Sequence, residues 1–367
     1  MMLEIQKFLL NNPIEALEEP PYCLKIRHYP EEDIYIFNYS QTESDPYNPI
    51  VKEARGLALC RSANWQVVRY GFNRFMNIGE DSADNIDWSS ATSSVKEDGT
   101  LLLVCCWNNK YHVGTRSCLD ASEAPLNSLR FKNFGELFWV AYKNTCGDDP
   151  LHLHFAPNHT TCLELCAPDN KVVLDYDEPK LFHLMSRDNL TFEELNIDIG
   201  IPKPAEYRLD SKEAYELLVK SFGEDKEGIV VKDKFCHRVK VKTESYFRLH
   251  KMVQNHILKD EDIVKMIMTG EDKEFLCYFI EYKPRFDHIR NIIWGAEEFC
   301  GHICMLVFQW QIEHPNSPRK DFALWVKEHG EKRFSMIYFK AYDGRMPKSI
   351  FYDFTYKQIV ELFIKEG

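Results

Sequence analysis

The stretch Ser94-Val95-Lys96-Glu97-Asp98-Gly99-Thr100-Leu101-Leu102-Leu103-Val104 decides how this chain is interpreted. Its lysine precedes a continuous run of leucine and valine, which is typical of a buried strand. Gly99, between the lysine and that run, lets a ligand approach the backbone closely. The pattern K-x-D-G is weak when taken alone, because four loosely specified positions recur by chance and a surface turn explains them as well.

Charged residues at strand positions elsewhere in the chain change this interpretation. They lie in or beside apolar runs in the order Arg55, Arg116, Glu164, Glu227, Lys240 and Lys242. Successive residues of a strand face opposite sides, so Lys240 and Lys242 are expected on one face. A charge inside an apolar strand is costly unless a ligand or another charge compensates it. The ordered set therefore predicts a shared polar pocket for nucleotide phosphates, a ribose and a metal.

This set and its order resemble the covalent nucleotidyltransferases, and within them the RNA ligase 1 family of T-even bacteriophages. The likeness covers roughly residues 35–250. It includes four further stretches: Tyr35-Ile36-Phe37-Asn38-Tyr39, Arg74-Phe75-Met76-Asn77, Ala167-Pro168-Asp169-Asn170 and Ser245-Tyr246-Phe247-Arg248-Leu249-His250. Two positions depart from the family pattern, since Arg74 and Arg116 stand where lysines are usual. An arginine keeps the charge but changes the geometry.

The resemblance assigns a role to each site residue. It makes Lys96 the nucleophile that becomes AMP-lysine, and it implies Tyr246, Arg248 and Lys251 as RNA contacts. Glu227 is expected to bind Mg²⁺ or Mn²⁺, and Glu164 either the metal or a ribose hydroxyl. The residues expected to bind ATP are Arg55, Arg74, Glu97, Gly99, Arg116, Glu164, Lys240 and Lys242.

The reaction implied by the resemblance is ATP-dependent joining of an RNA 5′-phosphate to a 3′-hydroxyl, with lysyl-AMP and RNA-adenylate intermediates. Repair of a cleaved, tRNA-like RNA is the expected purpose. A charge patch agrees with an RNA partner: residues 232–251 contain seven Lys or Arg and two Asp or Glu, although the whole chain has a net charge of −12. Such a local patch can bind a short run of phosphates without coating nucleic acid broadly.

The hydrophobic pattern predicts an α+β fold with two domains. Strand-like runs dominate to about residue 248, and helical periodicity dominates after it. We therefore expect a nucleotidyltransferase (adenylyltransferase) domain of antiparallel sheets with flanking helices over 1–248. An all-α domain that selects the RNA is expected over 249–367. Locally, we expect helices over 3–19 and 126–144, a strand over 171–175, and a helix break or kink at Pro284.

The composition is that of a globular protein. No apolar run reaches the roughly 18 residues of a membrane span, and no secretory signal is evident. The 12 cysteines are scattered, which favours reduced thiols in the cytoplasm over a disulfide framework. Cys300-Gly301-His302-Ile303-Cys304 lacks a second ligand pair, so structural zinc is not expected. We expect a monomer without membrane contact.

Other functions remain open at the level of the sequence. A capping guanylyltransferase or a DNA ligase would share the lysine chemistry, but a small β-barrel usually follows their last motif, whereas this tail is predicted to be helical. A non-catalytic protein that binds RNA ends is an alternative of another class. A degenerate binder would be expected to lack at least one of Lys96, Glu164, Glu227, Lys240 and Lys242, and all five are present.

Overall fold

The computed structural model describes residues 2–170, 174–223, 226–243, 258–278 and 282–364. The chain divides into two compact units, Met1–Gln254 and Asn255–Gly367. The predicted boundary at 248/249 falls outside the described residues and stays a prediction.

The first unit is built mainly from strands. In chain order they are β1 Leu24–Tyr29, β2 Ile34–Tyr39, β3 Arg55–Cys60, β4 Gln66–Arg69, β5 Met76–Asn77, β6 Thr92–Lys96, β7 Thr100–Trp107, β8 Lys110–Thr115, β9 His159–Cys166, β10 Lys180–Asp188, β11 Glu194–Leu195, β12 Glu206–Tyr207, β13 Gly228–Lys232 and β14 Arg238–Lys242. They form three sheets with the orders β1-β2-β3-β4, β11-β10-β9-β7-β8 and β12-β6-β13-β14-β5. The pairings are antiparallel except for β14 with β5.

In the described part of the first unit, four α-helices flank these sheets. They are α1 Glu4–Leu9, α2 Pro49–Glu53, α3 Phe134–Cys146 and α4 Lys212–Lys220. Helix α3 begins where the Asn133 side chain accepts a hydrogen bond from the Glu136 amide, and it ends at Gly147, whose φ is 70°. Both are common ways of satisfying the free backbone groups of a helix end. Helix α3 buries Leu137 and Phe138 against the second sheet. It therefore covers one face of the sheet that carries Glu164.

The second unit is helical in the part that the structure describes. Its helices are α5 Asp260–Thr269, α6 Asp272–Tyr278, α7 Lys283–Glu313, α8 Arg319–His329, α9 Ser335–Tyr342, α10 Pro347–Tyr352 and α11 Tyr356–Ile359, followed by a π-helical turn at Val360–Ile364. The buried residues of α7 include Ile289, Ile293, Ala296 and Cys300. Their spacing of three and four residues forms one apolar stripe, on which α9 and α10 pack. The predicted α+β class with a helical C-terminal part is confirmed.

Several local predictions differ from the structure. The predicted helix over 3–19 is wrong: α1 ends at Leu9, and a short 3₁₀ helix follows at Ile14–Leu17. Pro13 separates the two, because proline lacks an amide hydrogen and disfavours helical geometry in the residue before it. The predicted helix over 126–144 begins only at Phe134. At Pro284 the alternative of a break agrees with the structure and that of a kink does not, because α7 begins at Lys283 and Pro284 lies in its first turn, where proline is tolerated.

The predicted strand over 171–175 lies partly outside the described residues, and Leu174 and Asp175 belong to no strand. Ten cysteines have free thiols: Cys60, Cys105, Cys106, Cys118, Cys146, Cys162, Cys166, Cys236, Cys300 and Cys304. None of the helices in the described part of the chain combines the length and apolar character that crossing a bilayer requires.

Candidate functional site

Lys96 is the last residue of β6, a strand between β12 and β13 in the third sheet. Its backbone register partner is Gly228, which also pairs with Lys242 on β14. A Cβ at Gly228 would lie 2.1 Å from the Val241 carbonyl oxygen, so only glycine permits this close approach. Antiparallel pairing thus places Lys96, residue 228 and Lys242 side by side, although they are far apart in sequence.

The Glu227 carboxylate is shared by two lysines. Lys96 Nζ donates to Glu227 Oε2 at 2.6 Å, and Lys242 Nζ lies 3.1 Å from Glu227 Oε1. The Glu227 side chain is 2% exposed, whereas 26% of the Lys96 side chain remains accessible. The carboxylate therefore fixes the position of the Lys96 amine, and part of the Lys96 side chain remains accessible to a ligand.

The loop after Lys96 is fixed by the second sheet. The Gly99 amide donates to Glu164 Oε1 at 3.2 Å. A Cβ at Gly99 would lie 2.3 Å from the Leu165 carbonyl oxygen and 2.9 Å from Cys166 Sγ. Contact with strand β9 thus requires glycine at position 99, in addition to the predicted approach of a ligand.

A tyrosine that the sequence analysis did not select also orders this loop. The Tyr176 hydroxyl accepts from the Asp98 amide at 2.9 Å and donates to Glu97 Oε2 at 3.2 Å. Asp98 Oδ2 in turn accepts from the Leu174 amide at 2.7 Å. The tyrosine follows Asn170 in the stretch after Glu164, but the sequence contains no signal that it folds back onto residues 97 and 98.

Burial raises the pKa of two carboxyl groups here. It raises the pKa of Glu164 to about 7, and the nearby Lys96 opposes this change only in part. Burial also raises the pKa of Glu97, against the hydrogen bond from Tyr176. Perturbed carboxyl groups beside a cavity are common at functional sites.

Lys96 lines a cavity of about 620 Å³ whose cations outnumber its carboxylates. Among the described residues, the lining cations are Arg55, Lys96, Lys203, Lys232, Arg238, Lys240 and Lys242. The lining carboxylates are Glu97, Glu164, Glu194 and Glu206. The volume lies in the usual range for small-molecule sites, and the excess positive charge suits a polyphosphate.

The structure brings most of the predicted ATP ligands together: Arg55, Glu97, Gly99, Glu164, Lys240 and Lys242 all line the cavity. The Arg55 guanidinium lies 5.3 Å from the Phe75 ring centre, and Lys240 Nζ lies 5.4 Å from it. Five charged lining residues were missed: Lys203, Lys232, Glu194, Glu206 and Arg238. Lys232 and Arg238 lie on the paired strands β13 and β14 and alternate with apolar residues as Lys240 does, so this pattern could have predicted them. Lys203 and Glu194 show no such pattern in the sequence.

Two predicted ATP ligands lie elsewhere. The guanidinium groups of Arg74 and Arg116 lie 4.1 Å and 5.1 Å from the centre of the Tyr39 ring. Arg116 is exposed and donates to the Tyr39 hydroxyl at 3.2 Å. Neither arginine lines the Lys96 cavity; Arg74 lines a second cavity. The predicted RNA contacts Tyr246, Arg248 and Lys251 lie outside the described residues.

The two predicted metal ligands differ in availability. Both Glu227 oxygens already contact lysines, whereas Glu164 lines the cavity. Within the described ranges, no cluster of three or more His, Cys, Asp or Glu residues could hold a metal ion. The site therefore fits Mg²⁺ or Mn²⁺ only if substrate phosphates supply further ligands, as is usual for Mg²⁺. The Cys300 stretch, on helix α7, likewise belongs to no such cluster of described residues.

Comparison with known proteins points to one family. A family profile described as RNA ligase matches residues 53–247, more than half of the chain. A protein of Autographa californica nuclear polyhedrosis virus, described as a bifunctional polynucleotide kinase/RNA ligase, is 28% identical over 316 residues. That alignment covers 80% of this chain and 43% of the viral protein. The chain thus spans less than half the length of this curated relative.

Solved structures give weaker similarities. An archaeal ATP-dependent RNA ligase is 12% identical with a TM-score of 0.45, over 83% of this chain and 80% of the other. A DNA ligase from Aquifex aeolicus, described as ATP-dependent, is 13% identical with a TM-score of 0.43, over 77% and 78% of the two chains. A Naegleria gruberi RNA ligase structure with ATP and Mn is 12% identical with a TM-score of 0.35, over 45% and 53%.

Proposed function

This chain belongs to the RNA ligase family, and from that premise we propose that it joins RNA ends in an ATP-dependent reaction through AMP carried on Lys96. The observation that supports this most directly is the position of the Lys96 amine. It is held at 2.6 Å by a buried carboxylate and is accessible from a cavity lined by an excess of cations.

In the first step, Lys96 Nζ attacks the α-phosphorus of ATP. A phosphorus–nitrogen bond forms, the bond to the bridging oxygen breaks, and pyrophosphate leaves with that electron pair. The amine must be unprotonated to attack, and Glu227 Oε2 is close enough to orient it and to accept its proton. Arg55, Lys240 and Lys242 line the cavity in which charge develops on the phosphoryl oxygens, so they can stabilise it.

In the second step, a 5′-phosphate oxygen of RNA attacks the same phosphorus and the Lys96 amine leaves, which gives RNA-adenylate. In the third, an RNA 3′-hydroxyl attacks the 5′-phosphate, and AMP departs with the electron pair of the phosphoanhydride bond. Positioning and charge neutralisation matter more than acid–base catalysis in such transfers. Mg²⁺ or Mn²⁺, bound to ATP phosphates and Glu164, would supply further neutralisation of charge. Glu164 can instead hold the ribose.

Labelling experiments test this proposal. Incubation with α-labelled ATP and Mg²⁺ should transfer label to the protein, and adding a 5′-phosphorylated RNA should pass AMP to the RNA. Lys96→Ala should lose both signals, whereas Lys110→Ala is the control, because Lys110 is exposed and pairs with Glu32. Labelling by GTP alone would instead identify a capping guanylyltransferase, and joining of DNA but not RNA would identify a DNA ligase.

The helical unit, Asn255–Gly367, is proposed to select the RNA, and a cleaved tRNA-like loop is the proposed substrate. Removing this unit should spare self-adenylylation more than sealing of a structured RNA. Equal loss of both activities in a folded fragment would contradict this division of labour. Cytoplasmic location and a monomeric state stay predictions.

A non-catalytic role in binding RNA ends is the alternative from another class. The intact set Lys96, Glu164, Glu227, Lys240 and Lys242 argues against it, since Lys96, Glu227 and Lys242 are in contact and Glu164 and Lys240 line the same cavity. A wild-type protein that binds RNA but never accepts label from ATP would favour the binding role.

A further inference from the structure

A second cavity, of about 690 Å³, adjoins the Lys96 cavity. Phe75, Glu194 and Arg238 line both, so these side chains form a wall between them. The remaining lining residues of the second cavity are Lys52, Asn73, Arg74, Asp84, Arg187, Phe192, Glu193, Phe235, Cys236 and His237. Its lining thus combines cations with aromatic rings.

Three of its four Lys and Arg side chains already have protein partners. Lys52 Nζ contacts Asp84 at 2.9 Å, and Arg238 forms an ion pair with Glu194. Arg187 donates to the Gly71 and Phe192 carbonyl oxygens and to Glu194. These contacts fix the wall between the two cavities. Because the three cations already have acceptors in the protein, they would gain little from binding a ligand.

Arg74 differs from the other three. It is only 6% exposed, and its Nη1 is buried with no hydrogen-bond acceptor among the described residues. The Tyr39 ring, 4.1 Å from the guanidinium carbon, covers one face of the group but offers no lone pair to Nη1. Burial without an acceptor is costly for a charged donor, so an anionic oxygen in the cavity would be favoured.

The aromatic residues supply a different kind of contact. Phe235 lies in the turn between β13 and β14, is 62% exposed, and has Lys234 Nζ 4.9 Å from its ring centre. An exposed ring beside a cation is the arrangement on which an unpaired base stacks in single-stranded nucleic-acid sites. Asn73 and His237 add polar groups able to contact a sugar or a base.

We propose that the second cavity binds one nucleotide of the RNA strand, with a phosphate oxygen accepting from the Arg74 guanidinium group and the base on Phe235. This inference rests on the proposed function. ATP must place its α-phosphorus at Lys96, on the other side of the Phe75–Glu194–Arg238 wall. A strand that enters the Lys96 cavity with its end can leave the neighbouring nucleotide in the second cavity.

RNA binding measured without ATP tests the site directly. The probe is a short, fluorescently labelled, 5′-phosphorylated single-stranded RNA, and its affinity is measured by anisotropy over a range of salt concentrations. Phe235→Ala should weaken binding by about 5-fold or more, as expected for the loss of one stacked base. Arg74→Gln should reduce the slope of log affinity against log salt by about 0.7, the value for one single-strand phosphate contact.

Matched variants separate this effect from general damage. Trp139→Ala removes an exposed ring on α3, and Arg61→Gln removes an exposed cation; neither should change RNA affinity. Because Phe235 is exposed, its truncation should leave both folding and labelling of Lys96 by ATP intact. Joining by Phe235→Ala should recover at high RNA concentration, which a folding defect would not produce.

Two results would overturn the inference. One is unchanged RNA affinity in Phe235→Ala together with an unchanged salt slope in Arg74→Gln. The other is an Arg74→Gln protein that binds RNA normally but has a raised KM for ATP in self-adenylylation, because the second cavity would then take the triphosphate. A wild-type protein that ATP does not label would contradict the proposed function instead, and the binding measurement would still report on the cavity.

Discussion

Replacing Glu227 by glutamine tests the central geometry of the site. The substitution keeps the shape of the side chain but removes the charge that two lysines share at 2.6 and 3.1 Å. The amide oxygen can still accept from one lysine, whereas the amide nitrogen cannot accept at all. One ammonium group therefore loses its partner next to a second cation.

The expected cost follows from burial. Removing one member of a buried ion pair typically destabilises a protein by about 3 to 5 kcal/mol. Lys96 and Lys242 keep 26% and 14% of their side chains exposed, so water compensates part of the loss and about 2 to 4 kcal/mol is expected here. For a unit of this size, that corresponds to a decrease in Tm of about 5 to 15 °C.

Catalysis should suffer more than stability. With the Lys96 amine no longer held, a displacement of about 1 Å would slow AMP transfer about 100-fold. Thermal unfolding and the rate of labelling by α-labelled ATP are the two measurements. Glu216→Gln is the control, because Glu216 forms only an exposed pair with Lys212, and it should change neither quantity.

A double-mutant cycle with Lys242→Gln separates the two lysines. If Glu227 and Lys242 interact as the structure shows, the double variant should be less destabilised than the sum of the single variants by about 1 to 3 kcal/mol. A Glu227→Gln protein whose Tm and labelling rate both match the wild type would refute the reasoning.

Three other substitutions probe the same loop and strand. Glu164→Gln tests a pH effect: since burial raises the pKa of this acid from 4.5 to about 7, its charged form destabilises the fold progressively between those values. The variant should therefore gain up to about 3 kcal/mol relative to wild type from pH 4 to pH 8, and a pH-independent difference in Tm would contradict this. Tyr176→Phe removes the hydroxyl that contacts Glu97 and the Asp98 amide and should slow labelling about 10-fold, with a loss of stability of about 1 kcal/mol because the Asp98 amide loses its acceptor; equal rates would show that the loop is ordered without it. Gly99→Ala places a Cβ 2.3 Å from the Leu165 carbonyl oxygen and should abolish labelling, so an active variant would mean that the loop and β9 move apart freely.

Six of the eleven charged residues that line the Lys96 cavity were predicted, several of them because they stand out against their local surroundings. Glu164 interrupts an apolar strand, and Lys240 and Lys242 alternate with valines. A charge at such a position needs a polar partner in any fold. Such a residue can therefore be recognised as a candidate site residue before the fold is known. Arg74 was selected through the family resemblance alone and faces the second cavity instead, since such a resemblance does not say which pocket a side chain reaches.

The local order of the chain was enough to predict most strands, their alternating faces and the change to helices, because these depend on neighbours within a few residues. Only the tertiary structure decided that Glu227 serves Lys96 and Lys242 together, that Tyr176 returns to the loop at Glu97, and that one wall divides two cavities. Those relations depend on which strands pair and in what register. That pairing is settled by packing between segments more than a hundred residues apart, as for Lys96 and Gly228.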